Sequence, residues 1–199
     1  MLDRPHPTPG APATDPFALA KALSGQHFIG GAYAPARSGK SFAVVNPATG
    51  EQVATAAEGD AADVDAAVRN AAEAQKKWAK VPARKRGAMV HQCAALIREH
   101  VEELAKLIAL ETGKALRTES RVEAGTVADI LEFFGGLGGE LKGESVPFDP
   151  KVLSVTVREP LGVVGAIIPW NVPMLLMALK VAPALVAGNS VVVKSAEEA

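Results

Sequence analysis

The sequence predicts an α/β fold, and three observations carry the prediction. Residues 161–168 are an unbroken apolar run between Pro160 and Pro169, short and rich in Val and Ile, as in a strand covered on both faces. Pro173 then stands where a helix begins, its fixed φ and missing N–H suited to the first helical position, and Gly188 supplies a left-handed stop. Residues 190–194 form a second apolar strand. Strand, helix and strand in this order make a βαβ unit, which closes right-handed and presents ligands at the carboxyl ends of its strands. Asn171 falls at the first of those ends, Lys194 and Glu197 at the second.

The remaining elements follow from the N-terminus. Residues 1–16 carry five prolines among mostly small residues and read as a flexible tail. The tail lacks an apolar h-region and is not a secretory signal. Residues 17–23 read as a helical turn. Short strands are expected near 26–29, 42–45 and 52–56, the last two joined by the turn Asn46-Pro47-Ala48-Thr49-Gly50. Asp60 caps a helix, with Asp63 at the positive end of its dipole, and Val64, Ala67, Val68, Ala71, Gln75 and Trp78 track one face. Pro82 opens a second helix, expected to run unbroken to Gly113. Its inward face carries Met89, Cys93, Leu96 and Ile97, then Leu104, Leu107 and Ile108. A third helix over about 116–137 buries Val127, Ile130, Leu131 and Phe134, and the glycine-rich tract 135–143 ends the helical layer. In residues 152–159, Leu153, Val155 and Val157 alternate with Ser154, Thr156 and Arg158, as in a half-buried antiparallel strand. That segment reads as an arm that leaves the α/β body and pairs elsewhere.

Bulk properties narrow the function. A chain of 199 residues, 48% hydrophobic, makes one ordinary domain or a small domain with an appendage. Its formal charge of −1 gives no footprint for nucleic acid or an anionic membrane. The single cysteine, Cys93, excludes an intramolecular disulfide and a cysteine metal cluster, so no metal is expected and a reducing, cytoplasmic setting follows. As a small hydrophobe on an apolar helix face, Cys93 is expected to be buried and inert. Residues 161–179 carry no charge and are long enough to span a bilayer. Pro169, Asn171 and Pro173 break that run in its middle, which suits a strand–loop–helix corner rather than a membrane hairpin.

Each polar candidate has a plain reading beside a chemical one. Asn171 is either a turn residue or a carboxamide donor aimed at a developing oxyanion. Lys194 and Glu197 are either a solvated ion pair or a ribose-recognition pair. Lys180, mid-helix among apolar neighbours, either snorkels or is buried against a carboxylate. Glu111-Thr112-Gly113-Lys114 is sufficiently explained as a helix end. No G-x-G-x-x-G follows the first strand, because Gly162 and Gly165 are expected within it.

Taken together, these motifs resemble the N-terminal portion of the aldehyde dehydrogenase superfamily, from about Phe28 onward. Asn46-Pro47-Ala48-Thr49-Gly50-Glu51, Glu111-Thr112-Gly113-Lys114, Glu159-Pro160-Leu161-Gly162-Val163, Pro169-Trp170-Asn171 and the run from Lys180 through Pro183-Ala184-Leu185 and Gly188-Asn189 to Val193-Lys194-Ser195-Ala196-Glu197 fall in the family's order. The resemblance implies an incomplete Rossmann-like cofactor domain: a helical layer with short strands over 17–141, an oligomerisation arm over 142–159, and the first βαβ half over 160–199. It implies NAD as cofactor, with NADP possible, lined by Ile167, Ile168, Pro169 and Trp170, and an adenine ribose held by Lys194 and Glu197. It implies that Asn171 stabilises the thiohemiacetal oxyanion and that Lys180 matches a lysine linked to the catalytic base. The nucleophilic cysteine and general-base glutamate of the family are expected beyond residue 199, so the chain alone is expected to be inactive. The implied partners are a small-molecule aldehyde and further copies of the chain, with a non-catalytic assembly chain as the alternative.

Overall fold

The computed structural model describes residues 15–198, and most of the expected tail, residues 1–14, lies outside them. Asp15 caps α1 (Pro16–Leu23), its carboxylate accepting from the Phe17 N–H at 3.1 Å. β1 (His27–Ile29) and β2 (Ala32–Ala34) form an antiparallel hairpin around Gly30 and Gly31, both at positive φ. β2 has no signature in the sequence, because Ala-Tyr-Ala is too short to show an alternation. β3 (Ser41–Val45) and β4 (Gln52–Ala57) pair antiparallel across the expected turn, where the Asn46 side chain accepts from the Ala48 N–H at 2.9 Å.

The helical layer departs from expectation in three places. α2 (Ala61–Trp78) begins with a reciprocal capping box: Asp60 accepts from the Asp63 N–H, and the Asp63 carboxylate accepts from the Asp60 N–H at 3.1 Å. Asp63 is buried, whereas Val64 and Val68, expected inward, are exposed. The long second helix is two helices, α3 (Ala83–Glu99) and α4 (Val101–Thr112), broken at His100. The His100 N–H is shared between the Leu96 and Ile97 carbonyls, a tightened last turn. The break re-aims α4 so that Ala105 and Ile108 pack with Ala124 in one core cluster. Gly113 ends α4 at φ +73, as expected.

A π-helical turn (Leu116–Ser120) leads into α5 (Arg121–Gly136), and a 3-10 turn (Leu137–Gly139) follows. α5 crosses α3 at unusually close range. A Cβ on Gly87 would lie 2.3 Å from the Gly135 carbonyl oxygen, and one on Gly138 would lie 2.6 Å from the Ala83 carbonyl oxygen. α3 therefore turns its small residues, Gly87, Val90 and Ala94, toward α5 and α6. Met89, Cys93 and Leu96 are left exposed, which corrects the expected inward face and the expected burial of Cys93. Val127, Ile130, Leu131 and Phe134 of α5 do point to the core.

β5 (Ser145–Asp149) and β6 (Val152–Val155) form an antiparallel hairpin. The expected arm is thus a hairpin whose second strand stops at Val155. Its apolar side chains are open rather than half-buried, Phe148 at 80% and Leu153 at 85% exposure. β7 (Val163–Ile167), α6 (Pro173–Val186) and β8 (Ser190–Lys194) are the predicted βαβ unit, with β7 and β8 parallel. Gly162 precedes β7 at φ +116 rather than lying in it. β7 is not covered on both faces: Ala166 and Ile168 are buried, while Ile167 is 75% exposed. Among the described residues no helix is long and apolar enough to cross a membrane.

Two clefts, of about 330 and 310 Å³, flank the end of α4 and share Glu111 and Ser195. Glu111 is half-buried, and burial pushes its carboxyl above the ordinary value of 4.5. Its charge also sits in the last turn of α4, at the negative end of the helix dipole. A carboxyl raised in the fold favours folding when protonated and opposes it as pH climbs through the raised value. Glu111→Gln should therefore match the unmutated chain in urea midpoint below about pH 4. Above that it should become progressively the more stable of the two, up to neutral pH. Equal midpoints at pH 4 and pH 7 would remove the burial cost from Glu111.

Candidate functional site

The candidate residues converge because the two parallel strands are in register at their carboxyl ends. Ile167 is the register partner of Lys194, and the Ile168 N–H donates to the Lys194 carbonyl at 2.9 Å. This sets the end of β7 and the loop after it beside the end of β8. Strand alternation buries Ile168 and opens Ile167. Pro169, Trp170 and Asn171 follow in the loop, all exposed, with Trp170 at 61%. The result is an open apolar ledge bordered by a carboxamide.

At the end of β8 the Lys194 ammonium and the Glu197 carboxylate pair with each other at 2.5 Å, both exposed. The ammonium holds the Glu197 carboxyl below its ordinary range. This is the solvated ion pair of the plain reading. Solvent screens an exposed pair of this kind and leaves it little net stabilisation, so a ligand that engages both groups loses little by opening it. Lys180 lies in α6, half-buried, and its ammonium makes no hydrogen bond or ion pair among the described residues. The structure therefore does not bring it to Asn171 through any direct bond.

Four residues that the sequence does not single out hold this site. Glu123 of α5 is 4% exposed and reaches the start of α6. There its Oε1 accepts from the Met174 N–H at 3.0 Å and the Leu175 N–H at 3.3 Å. Lys114 pairs with its other oxygen. Arg86, buried in α3, donates to the Val186 carbonyl at the far end of α6 at 3.0 Å and to the Val81 carbonyl before α3 at 2.5 Å. Burial pulls its guanidinium below the usual value. Asn189 accepts from the Gly162 N–H at 2.9 Å and donates to the Ala184 carbonyl at 3.2 Å, tying the lead-in of β7 to the turn before β8. The available signal is position: Glu123 falls four residues before buried Val127, so a charge stands on an apolar helix face.

The start of α6 explains why no glycine cradle is found. A helix N-terminus after the first strand of such a unit is a ready anion site. Here Pro173 has no N–H, and the two N–H groups that follow are taken by an internal carboxylate. Cys93 is remote in the chain from both strand ends, exposed on α3, with its Sγ donating to the Met89 carbonyl at 3.4 Å.

Comparison with known proteins agrees with this architecture. The sequence model of the aldehyde dehydrogenase family matches residues 33–199. HpcC from Thermus thermophilus is 36% identical with a TM-score of 0.87, over 92% of this chain and 36% of that one. A putative aldehyde dehydrogenase from Burkholderia cenocepacia is 39% identical with a TM-score of 0.85, over 87% of this chain and 37% of that one. Betaine aldehyde dehydrogenase from Staphylococcus aureus, solved in complex with NAD+, is 35% identical with a TM-score of 0.87, over 92% of this chain and 37% of that one. The chain thus spans little more than a third of the length of these structures. With the matched residues running through the arm, the βαβ unit and the strand-end loops, the chain belongs to the aldehyde dehydrogenase family.

Proposed function

We propose that the ends of β7 and β8 bind a nicotinamide dinucleotide, and that Asn171 serves the oxidation of an aldehyde to a carboxylic acid. The observation that carries this reading is the register of Ile167 with Lys194, which sets the apolar ledge beside the ion pair. The NAD+ in the Staphylococcus aureus relative supports the choice of ligand. Bound NAD+ supplies the hydride acceptor. Ile167, Ile168, Pro169 and Trp170 offer apolar and backbone surface to it, and Ile167 and Trp170 are the side chains most open for that contact. Lys194 and Glu197 take the adenine ribose, the ammonium donating to one hydroxyl and the carboxylate accepting from the vicinal pair. With Glu123 on the start of α6, that helix has no free first-turn N–H for the diphosphate.

Asn171 carries the chemistry that this segment provides. Its exposed carboxamide stands between a strand end and a helix start, where an N–H can donate to the oxygen of an aldehyde under nucleophilic attack. Lys180, in the middle of α6, suits a charge relay to a base supplied by a longer chain. The lone thiol does not suit the role of nucleophile, because it lies on the outer face of α3. A free exposed cysteine fits a reducing, cytoplasmic setting. The open apolar side chains of the 142–159 arm favour pairing with another copy. They also support a second reading, in which the chain is a non-catalytic assembly subunit, and co-purification with a longer homologue would favour it.

Three outcomes are expected. The 199-residue chain alone forms no NADH with any aldehyde. NADH formation abolished by Cys93→Ser would overturn this placement of the site. In an enzyme that carries this segment, Asn171→Ala lowers kcat by about 10²–10³, as loss of one oxyanion donor does, and leaves the KM for NAD+ within a few-fold. Near-normal turnover would take Asn171 out of the mechanism. The Glu197 carboxylate repels a 2′-phosphate, so the same enzyme prefers NAD+ to NADP+ and Glu197→Gln narrows the preference; equal kcat/KM for the two cofactors before mutation would refute this.

A further inference from the structure

The start of α6 has no cap of its own. Val172 occupies the N-cap position and has no side-chain acceptor, and Pro173 brings no N–H. The donors left without an intrahelical partner in the first turn are those of Met174 and Leu175. Both go to a single oxygen of Glu123, a residue fifty-one positions earlier than Met174, on another helix. Burying a carboxylate this deeply is costly unless its charge is balanced. Two features balance it: the Lys114 ammonium, itself only 17% exposed at its side chain, and the positive end of the α6 dipole.

The geometry points to Glu123 as the positioning residue of the 168–172 loop, with Lys114 holding Glu123 in place. The inference rests on the proposed role of that loop in binding NAD+ and presenting Asn171. The loop has two anchors. Its leading end is fixed where the Ile168 N–H meets the Lys194 carbonyl, and its trailing end where the Met174 N–H meets Glu123. Between them Pro169, Trp170 and Asn171 are exposed and are not hydrogen-bonded to other parts of the described chain. Their orientation therefore depends on the two anchors. Releasing the trailing one lets the first turn of α6 fray and Asn171 swing, while β7 and β8 keep their register. Glu123 and Lys114 touch no reacting group in this account and act through the loop.

Amide exchange on the ¹⁵N-labelled chain tests this directly. In the unmutated chain the Met174 and Leu175 amides should exchange about 100-fold or more slowly than free peptide, as capped groups do. Free exchange at both would overturn the proposal before any mutation is made. Glu123→Met removes the acceptor and Lys114→Met removes the ammonium that holds it, both at similar side-chain volume. Each should raise exchange at Met174 and Leu175 and shift the Asn171 carboxamide and Trp170 indole signals. Amides of β8 and α2 should stay unchanged. A lowered melting temperature with the Asn171 and Trp170 signals unmoved would show a cap that is only structural, and would overturn the positioning role. Titration with NAD+ separates the two readings. If the unmutated chain shows the expected exchange but no response to NAD+ at the loop, the positioning role stands and the dinucleotide site falls.

Discussion

α6 is clamped at both ends by side chains that reach it from earlier helices, and the strand-end site depends on that clamp. Each contact has the sign that the helix dipole favours. A carboxylate, Glu123, takes the free N–H groups at the start, and donors, Arg86 and the Trp78 indole, take carbonyls at the end, the indole reaching the Leu185 oxygen at 2.8 Å. Gln75 adds a bond to the Gly188 carbonyl at 3.3 Å. Because α2, α3 and α5 all supply such groups, α2 two of them, the βαβ unit is locked to the helical layer by polar bonds as well as by the Val90, Ala182 and Val186 core. Removing one partner of a buried, charge-balanced contact of this kind costs about 3–5 kcal/mol. The open loop between β7 and α6 is held by a rigid frame that it does not itself contribute to.

The frame is made possible by the absence of side chains where α3 and α5 cross. With Gly87, Gly135 and Gly138 at the contact, the two helix backbones approach closely enough for Arg86 to pass beside Gly188 and reach the end of α6. A Cβ on Gly188 would lie 3.1 Å from the Arg86 guanidinium carbon, so the turn residue also has to be small there, quite apart from its φ of +96°. Close packing has an outward consequence as well. The helix face that carries the bulkier Met89, Cys93 and Leu96 is displaced to the surface.

That displacement shows where sequence reasoning works and where it fails. β7, α6 and β8 are legible because prolines and a glycine punctuate short apolar runs, and that punctuation is local. The strand-end residues Asn171, Lys194 and Glu197 are legible for the same reason, since topology alone puts them at the ends of parallel strands. The face of α3 is misread when bulk is equated with burial, whereas a glycine crossing buries the smallest residues. The break at His100 carries no Pro or Gly and is set by tertiary packing of Ala105 and Ile108 against Ala124. Glu123, Lys114 and Arg86 are hidden in the sequence because charged residues on helices are usually solvated. Their roles arise from contacts nine to a hundred residues away in the chain.

The same contacts connect the fold to the chemistry of the family. The usual anion site at the head of the first βαβ helix is filled by the protein's own carboxylate, and in the proposed reading a dinucleotide takes the apolar ledge and the exposed ion pair, which opens at little cost. A crystal structure of the chain with NAD+ tests that claim most directly. The account predicts ribose hydroxyls within hydrogen-bond distance of Lys194 and Glu197, the dinucleotide against Ile167 and Trp170, and Glu123 still bonded to Met174 and Leu175. A diphosphate seated on the start of α6 in place of Glu123, or a dinucleotide bound elsewhere on the chain, would contradict it.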